Sequence, residues 1–189
     1  MARPRSQDKQ KAILDAALRI FAERGIGGAP TSAISREAGI AEGSLFTYFK
    51  TKDELLNELY LALRAEFSRH LPDFPHGQSP QIRLRYIWDK YLDLGAAHPE
   101  QLKVLAQLRA SGRLFRENES PNFALTEVIR AVGEASARNG SRDVPPEYQV
   151  LMIRAQMEMT VEFINAHPEA GPLCRELGFQ MLWRGLAGD

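Results

Sequence analysis

The sequence predicts an all-α protein, with a three-helix N-terminal domain built on a helix-turn-helix and a larger helical body behind it. Apolar residues recur at helical spacing along nearly the whole chain, and no segment shows the period-two alternation of a half-buried strand. Proline or glycine stands at most boundaries between periodic runs. The 189 residues suit one or two small domains, and 44% hydrophobic content is enough for a core. The expected boundaries are 7–67 for the first domain and 68–189 for the second.

Charge divides in a similar way. Residues 1–52 hold nine Lys/Arg against five Asp/Glu, a balance of +4, which leaves fifteen against nineteen, or −4, for residues 53–189. A basic head on an acidic body favours a nucleic-acid partner for the head. An excess of four charges also arises by chance, so charge alone does not decide the matter.

The first helix starts at Ser6 or Asp8 as N-cap, carries Ile13, Leu14, Ala17, Ile20 and Phe21 as its inward stripe, and stops at Gly25. Arg3 and Arg5 precede it in an expected mobile tail, either a basic arm for a minor groove or a solvated end. In the next run, Ala33, Ile34 and Ala38 give a short helix an apolar side, and Gly39 ends it by tolerating positive φ. Ile40 plugs the turn. A third helix restarts at Glu42-Gly43-Ser44, with Leu45 and Phe49 inward and Glu42, Ser44, Thr47 and Tyr48 outward. Hydroxyls and a carboxylate are groups that reach base edges and phosphate oxygens in a major groove. Thr31, Ser32, Lys50 and Lys52 flank the two helices and are expected to grip phosphates. Thr51-Lys52-Asp53-Glu54 then forms a capping box that opens a long helix.

The run AGIAEGSLFTYFKTKDEL resembles the DNA-binding motif of the tetracycline-repressor (TetR) family of bacterial regulators, roughly A-G-V-S-x-G-T-L-Y-x-H-F-x-x-K-x-x-L. Gly39, Gly43, Leu45, Phe49, Lys52 and Leu55 fall at the family's spacing. The resemblance covers about the first third of the chain. Ala41 replaces the usual Ser, Phe46 replaces a tyrosine, Tyr48 replaces a histidine, and Pro30-Thr31 stands where a Thr pair is common. Phe46 has no hydroxyl, so the phosphate contact of the family's tyrosine does not carry over to it. The resemblance implies a homodimer on a double-stranded DNA operator, a repressor's role, and a small-molecule effector.

The helix from Thr51 carries Leu55, Leu56, Leu59, Leu63 and Phe67 to about Leu71, where Pro72 and Pro75 break it and a linker runs to Pro80. Helices are expected at Pro80–Ala97, Pro99–Ser111, Pro121–Asn139, Pro146–His167 and Pro172–Leu186. Two junctions share Ala-His-Pro-Glu, at Ala97–Glu100 and Ala166–Glu169. A histidine near a helix C-terminus followed by proline at N1 explains both as helix ends, in preference to metal or catalytic roles.

The last two helices offer more apolar surface than one small domain hides. The resemblance implies that they pair with their copies in a four-helix bundle. Met159, Phe163, Leu173, Leu177, Met181 and Trp183 are the expected interface, with a wholly intramolecular core as the alternative. It also implies an effector pocket in the body. Trp88, Tyr91, Leu105, Leu108, Phe115, Phe123, Met152, Met157 and Phe163 are candidate apolar walls, and Arg109, Gln156 or Glu158 candidate polar groups. Taken singly, each aromatic is better explained as core than as ligand wall.

The four histidines show no metal-ligand spacing, and Cys174, the one cysteine, has no disulfide partner within the chain. No phosphate-cradling loop or nucleophile elbow stands out, so neither enzyme, metal nor cofactor is expected. No apolar run approaches the roughly 18 to 20 residues of a membrane span, and MARPRSQDKQK has no signal-peptide core. A cytoplasmic location with no membrane partner is the expectation. Two function classes follow: a DNA-binding transcriptional regulator, or a helical interaction module or enzyme that keeps a helix-turn-helix for packing.

Overall fold

The computed structural model describes residues 3–71, 73–115, 126, 129–130, 132–133 and 144–187, and the regular structure among them is entirely helical. Most of the predicted helix at 121–139 lies outside the described residues. The chain forms two compact units, the first comprising residues up to Ala65 and the described part of Glu100–Ser120, the second the remainder.

In the first unit, α1 (Arg3–Arg24) packs on α2 (Thr31–Glu37), and α2 on α3 (Glu42–Tyr48). The core of these helices is Ile13, Ala16, Ala17, Phe21, Ile34, Leu45 and Phe49, all buried. The helix α1 begins earlier than predicted, so the backbone of Arg3 and Arg5 lies in its first two turns instead of a tail. Pro4 does not prevent this, because the first turn has no intrahelical acceptor for its missing N–H.

The turn between α2 and α3 is built as the sequence requires. Gly39 has φ +68°, a conformation that side-chained residues rarely adopt. Its N–H donates to the Arg36 carbonyl at 3.1 Å, and the Ile40 N–H reaches back to the Ser35 carbonyl at 3.0 Å.

Helix α4 (Lys52–Arg69) buries Leu55, Leu56, Leu59 and Leu63. Thr51 caps it, accepting the Glu54 N–H at 3.0 Å. The Glu54 carboxylate reaches one residue further back than a capping box predicts, accepting the Lys50 N–H at 2.7 Å.

Helix α6 (Pro99–Ala110) belongs to this first unit, whereas the sequence places it in the body. Polar groups hold it there. Lys103 Nζ donates to the Ala22 carbonyl at 2.8 Å, and Arg113 pairs with Asp53 at 2.6 Å. Asn57, only 2% exposed, donates through Nδ2 to the Arg113 carbonyl at 3.1 Å and accepts the Phe115 N–H on Oδ1 at 2.7 Å. Its amide thus satisfies two backbone groups of the segment that follows α6.

In the second unit, α5 (Pro80–Ala97) packs against α7 (Pro146–Ala166) and α8 (Gly171–Ala187), which also pack on each other. Ser79 caps α5 by accepting the Ile82 N–H, and Pro80 occupies the first turn. Trp88 is the centre of this core, its Nε1–H donating to the Arg175 carbonyl at 3.0 Å and its ring edge-on to Phe179. Helix α8 passes so close that a Cβ at Gly178 would lie 2.8 Å from the indole. Both Ala-His-Pro-Glu junctions are helix ends. His98 (φ −138°, ψ 63°) and His167 (φ −134°, ψ 70°) cap α5 and α7 with nearly the same backbone angles, their N–H groups returning to the preceding turn.

Candidate nucleic-acid interface

Helix α3 is seven residues long and keeps one of them, Leu45, inside. Phe49, at its C-cap, is the second anchor and is also fully buried. These two fix the phase of the helix, and Glu42, Gly43, Ser44 and Thr47 are consequently exposed, as the sequence predicts. Tyr48 is half-buried, with its backbone in the last turn. Thr31 and Ser32, half-buried, open α2, and Lys50 is exposed just beyond α3. Helix α3 therefore exposes a carboxylate and hydroxyls on a short helix seated by two buried anchors, with a lysine just beyond its end, chemistry suited to base edges and phosphates.

Lys52 is placed differently from the expectation. Its ammonium donates to the Ile26 carbonyl at 2.8 Å and to the Ala29 carbonyl at 2.7 Å, and it sits over the Phe21 ring. Burial, and then the Arg113 charge nearby, push its pKa below the ordinary lysine value. Lys52 thus clamps the loop that leads into α2, with two of its three ammonium donors on backbone carbonyls.

Phe46 is the surface residue that the sequence reading left without a role. It is 45% exposed on α3 between the outward positions. The signal was present, since Phe46 follows the inward Leu45 by one residue and lies a full turn beyond Glu42.

The predicted effector residues divide between the two units. Leu105, Leu108 and Arg109 fall in the first unit, while Trp88, Tyr91, Met152, Gln156 and Met157 fall in the second. Trp88, Tyr91, Leu105, Leu108 and Met157 are packed core. Phe123 lies outside the described residues. Met152 and Gln156 do meet, in a cavity of about 270 Å³ with Tyr148, Gln149, Met181 and Leu182.

Five of the six residues expected at a subunit interface are open on the second unit. Met159 and Phe163 of α7 are 64% and 48% exposed, and Leu173, Leu177 and Met181 of α8 are 62%, 47% and 67% exposed. Trp183 is half-buried and lines a groove of about 490 Å³ with Arg85, Glu176 and Phe179. Arg85 pairs there with Glu176 at 2.7 Å, a bond that lowers the glutamate's pKa.

The chain is similar to known proteins. The model of the family "Bacterial regulatory proteins, tetR family" matches residues 13–59. The chain is 31% identical over 180 residues to the uncharacterized HTH-type transcriptional regulator YhgD of Bacillus subtilis (strain 168), covering 90% of this chain and 91% of that protein. It is 28% identical over 123 residues to the fatty acid metabolism regulator protein of the same organism, a match spanning 65% of this chain and 61% of that protein. Among solved structures, a tetR family transcription regulator from Shewanella sp. PV-4 shares the fold, with TM-score 0.83 and 24% identity over 96% of this chain and 99% of that one.

Proposed function

This chain belongs to the TetR family of bacterial transcriptional regulators, and from that premise we propose that it is a dimeric repressor that holds a palindromic operator and releases it when a small molecule binds its helical body. The observation that carries the reading is the outward face of α3, where Glu42, Ser44 and Thr47 are exposed on a helix seated by Leu45 and Phe49. Thr31, Ser32 and Lys50 supply phosphate contacts, and Tyr48, half-buried in the last turn of α3, adds a hydroxyl. The purified protein should retard a duplex selected from a random pool, and the affinity should fall linearly with salt on logarithmic axes. Retardation that ignores both sequence and salt would remove the reading and favour a packing role for the motif.

Gly43 sharpens the test. Its φ is not positive, and a Cβ built on it meets nothing within 4 Å, so the chain itself gives no reason for a glycine inside α3. Close approach of DNA backbone is a reason. Gly43→Ala should raise stability by roughly 0.5–1 kcal/mol, as a helix-interior glycine replaced by alanine does. Operator affinity should fall about tenfold, roughly 1.4 kcal/mol. A variant that is more stable and binds equally well would leave the glycine unexplained by DNA.

The effector is supported by the cavity at Met152 and Gln156, apolar on most sides with two amides from Gln149 and Gln156. The relative named for fatty acid metabolism makes long-chain acyl compounds the first class to try. Helix α4 runs on from the helix-turn-helix unit to Arg69, so a ligand that favours one tilt of it alters the spacing of two recognition helices. A hundredfold release needs about 2.7 kcal/mol of coupling.

A further inference from the structure

The exposed face of α3 is polar except at one point. Phe46 is 45% exposed there, beside Thr47 and one turn beyond Glu42 and Gly43. Helical side chains lean toward the helix N-terminus, so a residue covers the turn before its own Cα. For Phe46 that turn holds Gly43, which has no side chain and open space where a Cβ would stand. An exposed aromatic ring one turn from a side-chain-free position leaves apolar surface open to a ligand on this face. Among the base edges of the major groove, the thymine 5-methyl is the apolar group, and phenylalanine is one of the side chains that contacts it.

We propose that Phe46, exposed on the outward face of α3, is a specificity-determining residue that reads a thymine 5-methyl group in each half-site. The inference rests on the DNA-reading role of α3 and adds to it a residue and a base. Phe46 stands where its family has a tyrosine, and it offers nothing to a phosphate. Its exposure has no explanation in the first unit's own core, whose aromatic anchors, Phe21 and Phe49, are fully buried. Glu42 and Thr47 on either side supply hydrogen bonds, so the apolar contact is framed by groups that fix its register.

The test uses the full-length protein and the duplex it selects from a random pool. Each thymine of the selected site is replaced in turn by deoxyuridine, which removes the methyl group and leaves every hydrogen-bonding group in place. One symmetry-related position should lose about fourfold in affinity per half-site, the fold-change of burying one such carbon. Phe46→Ala should bind the thymine and uracil duplexes equally, and Phe46→Leu, which keeps apolar bulk, should still distinguish them. Measurement at low salt keeps the alanine variant within range, because phosphate contacts strengthen there. Uracil tolerated at every position would overturn the proposal, and so would an Ala variant that discriminates as the wild type does. If no duplex is selected at all, the DNA-reading role of α3 fails and this inference fails with it.

Discussion

Leu177→Glu should give a folded monomer whose operator affinity is at least a hundredfold lower, a loss of about 2.7 kcal/mol or more. Leu173, Leu177 and Met181 recur every fourth residue along α8, and Met159 and Phe163 do so along α7. All five are substantially exposed on helices that pack against each other, so they form open apolar surface of the kind that marks an interaction site. A carboxylate at Leu177 costs the single protomer little, since nearly half of that side chain already meets solvent. Within a dimer the same charge is buried without a partner, a penalty of several kcal/mol that separates the subunits. A palindromic operator needs two recognition helices about 34 Å apart, so a monomer grips only half a site. Sizing and duplex binding are measured together, with circular dichroism confirming helix content. A variant that stays dimeric would place the interface elsewhere, and a monomeric wild type at micromolar concentration would dispose of it.

What the sequence made legible was local. The α5 bounds, Pro80–Ala97, are those that its caps announce: Ser79-Pro80 at one end and His98-Pro99 at the other. Gly39 ended α2 because no distant contact was needed to require positive φ there. The phase of α3 followed from two anchors, Leu45 and Phe49, four residues apart. What periodicity could not show is non-local. Helix α6 joins the first unit through Lys103 on Ala22 and through Asn57, whose partners lie 56 and 58 positions away. Periodicity reports that a residue faces inward and not which unit it faces, so Leu105 and Leu108 were grouped with Trp88. Core and cavity wall also look alike in sequence. Trp88 proved to be core because α8 passes at Gly178 and presents the Arg175 carbonyl to its ring nitrogen, 87 positions on.

Lys52 shows the same limit, because its place flanking the two helices of the motif suggested phosphate, while its ammonium meets carbonyls 26 and 23 positions away. Removing the ammonium while keeping the stem, as in Lys52→Met, should lower stability by about 2–3 kcal/mol, since hydrogen bonds to a charged group are each worth roughly 1.5–3 and the two here share one cation. Two carbonyls, of Ile26 and Ala29, lose their donor in a part-buried loop. The cost lies in the loop that delivers Pro30 and Thr31 to the start of α2, so unfolding by urea should shift its midpoint with little change in slope. DNA binding by the folded fraction separates the two roles. A phosphate ligand contributes about one unit to the salt dependence of binding, and Lys50→Ala, at an exposed site, should remove that unit without touching stability. Lys52→Met should do the reverse, losing stability while its salt slope matches the wild type. A Lys52→Met protein as stable as the wild type but with a flatter slope would return Lys52 to the phosphates and make the two carbonyl bonds incidental.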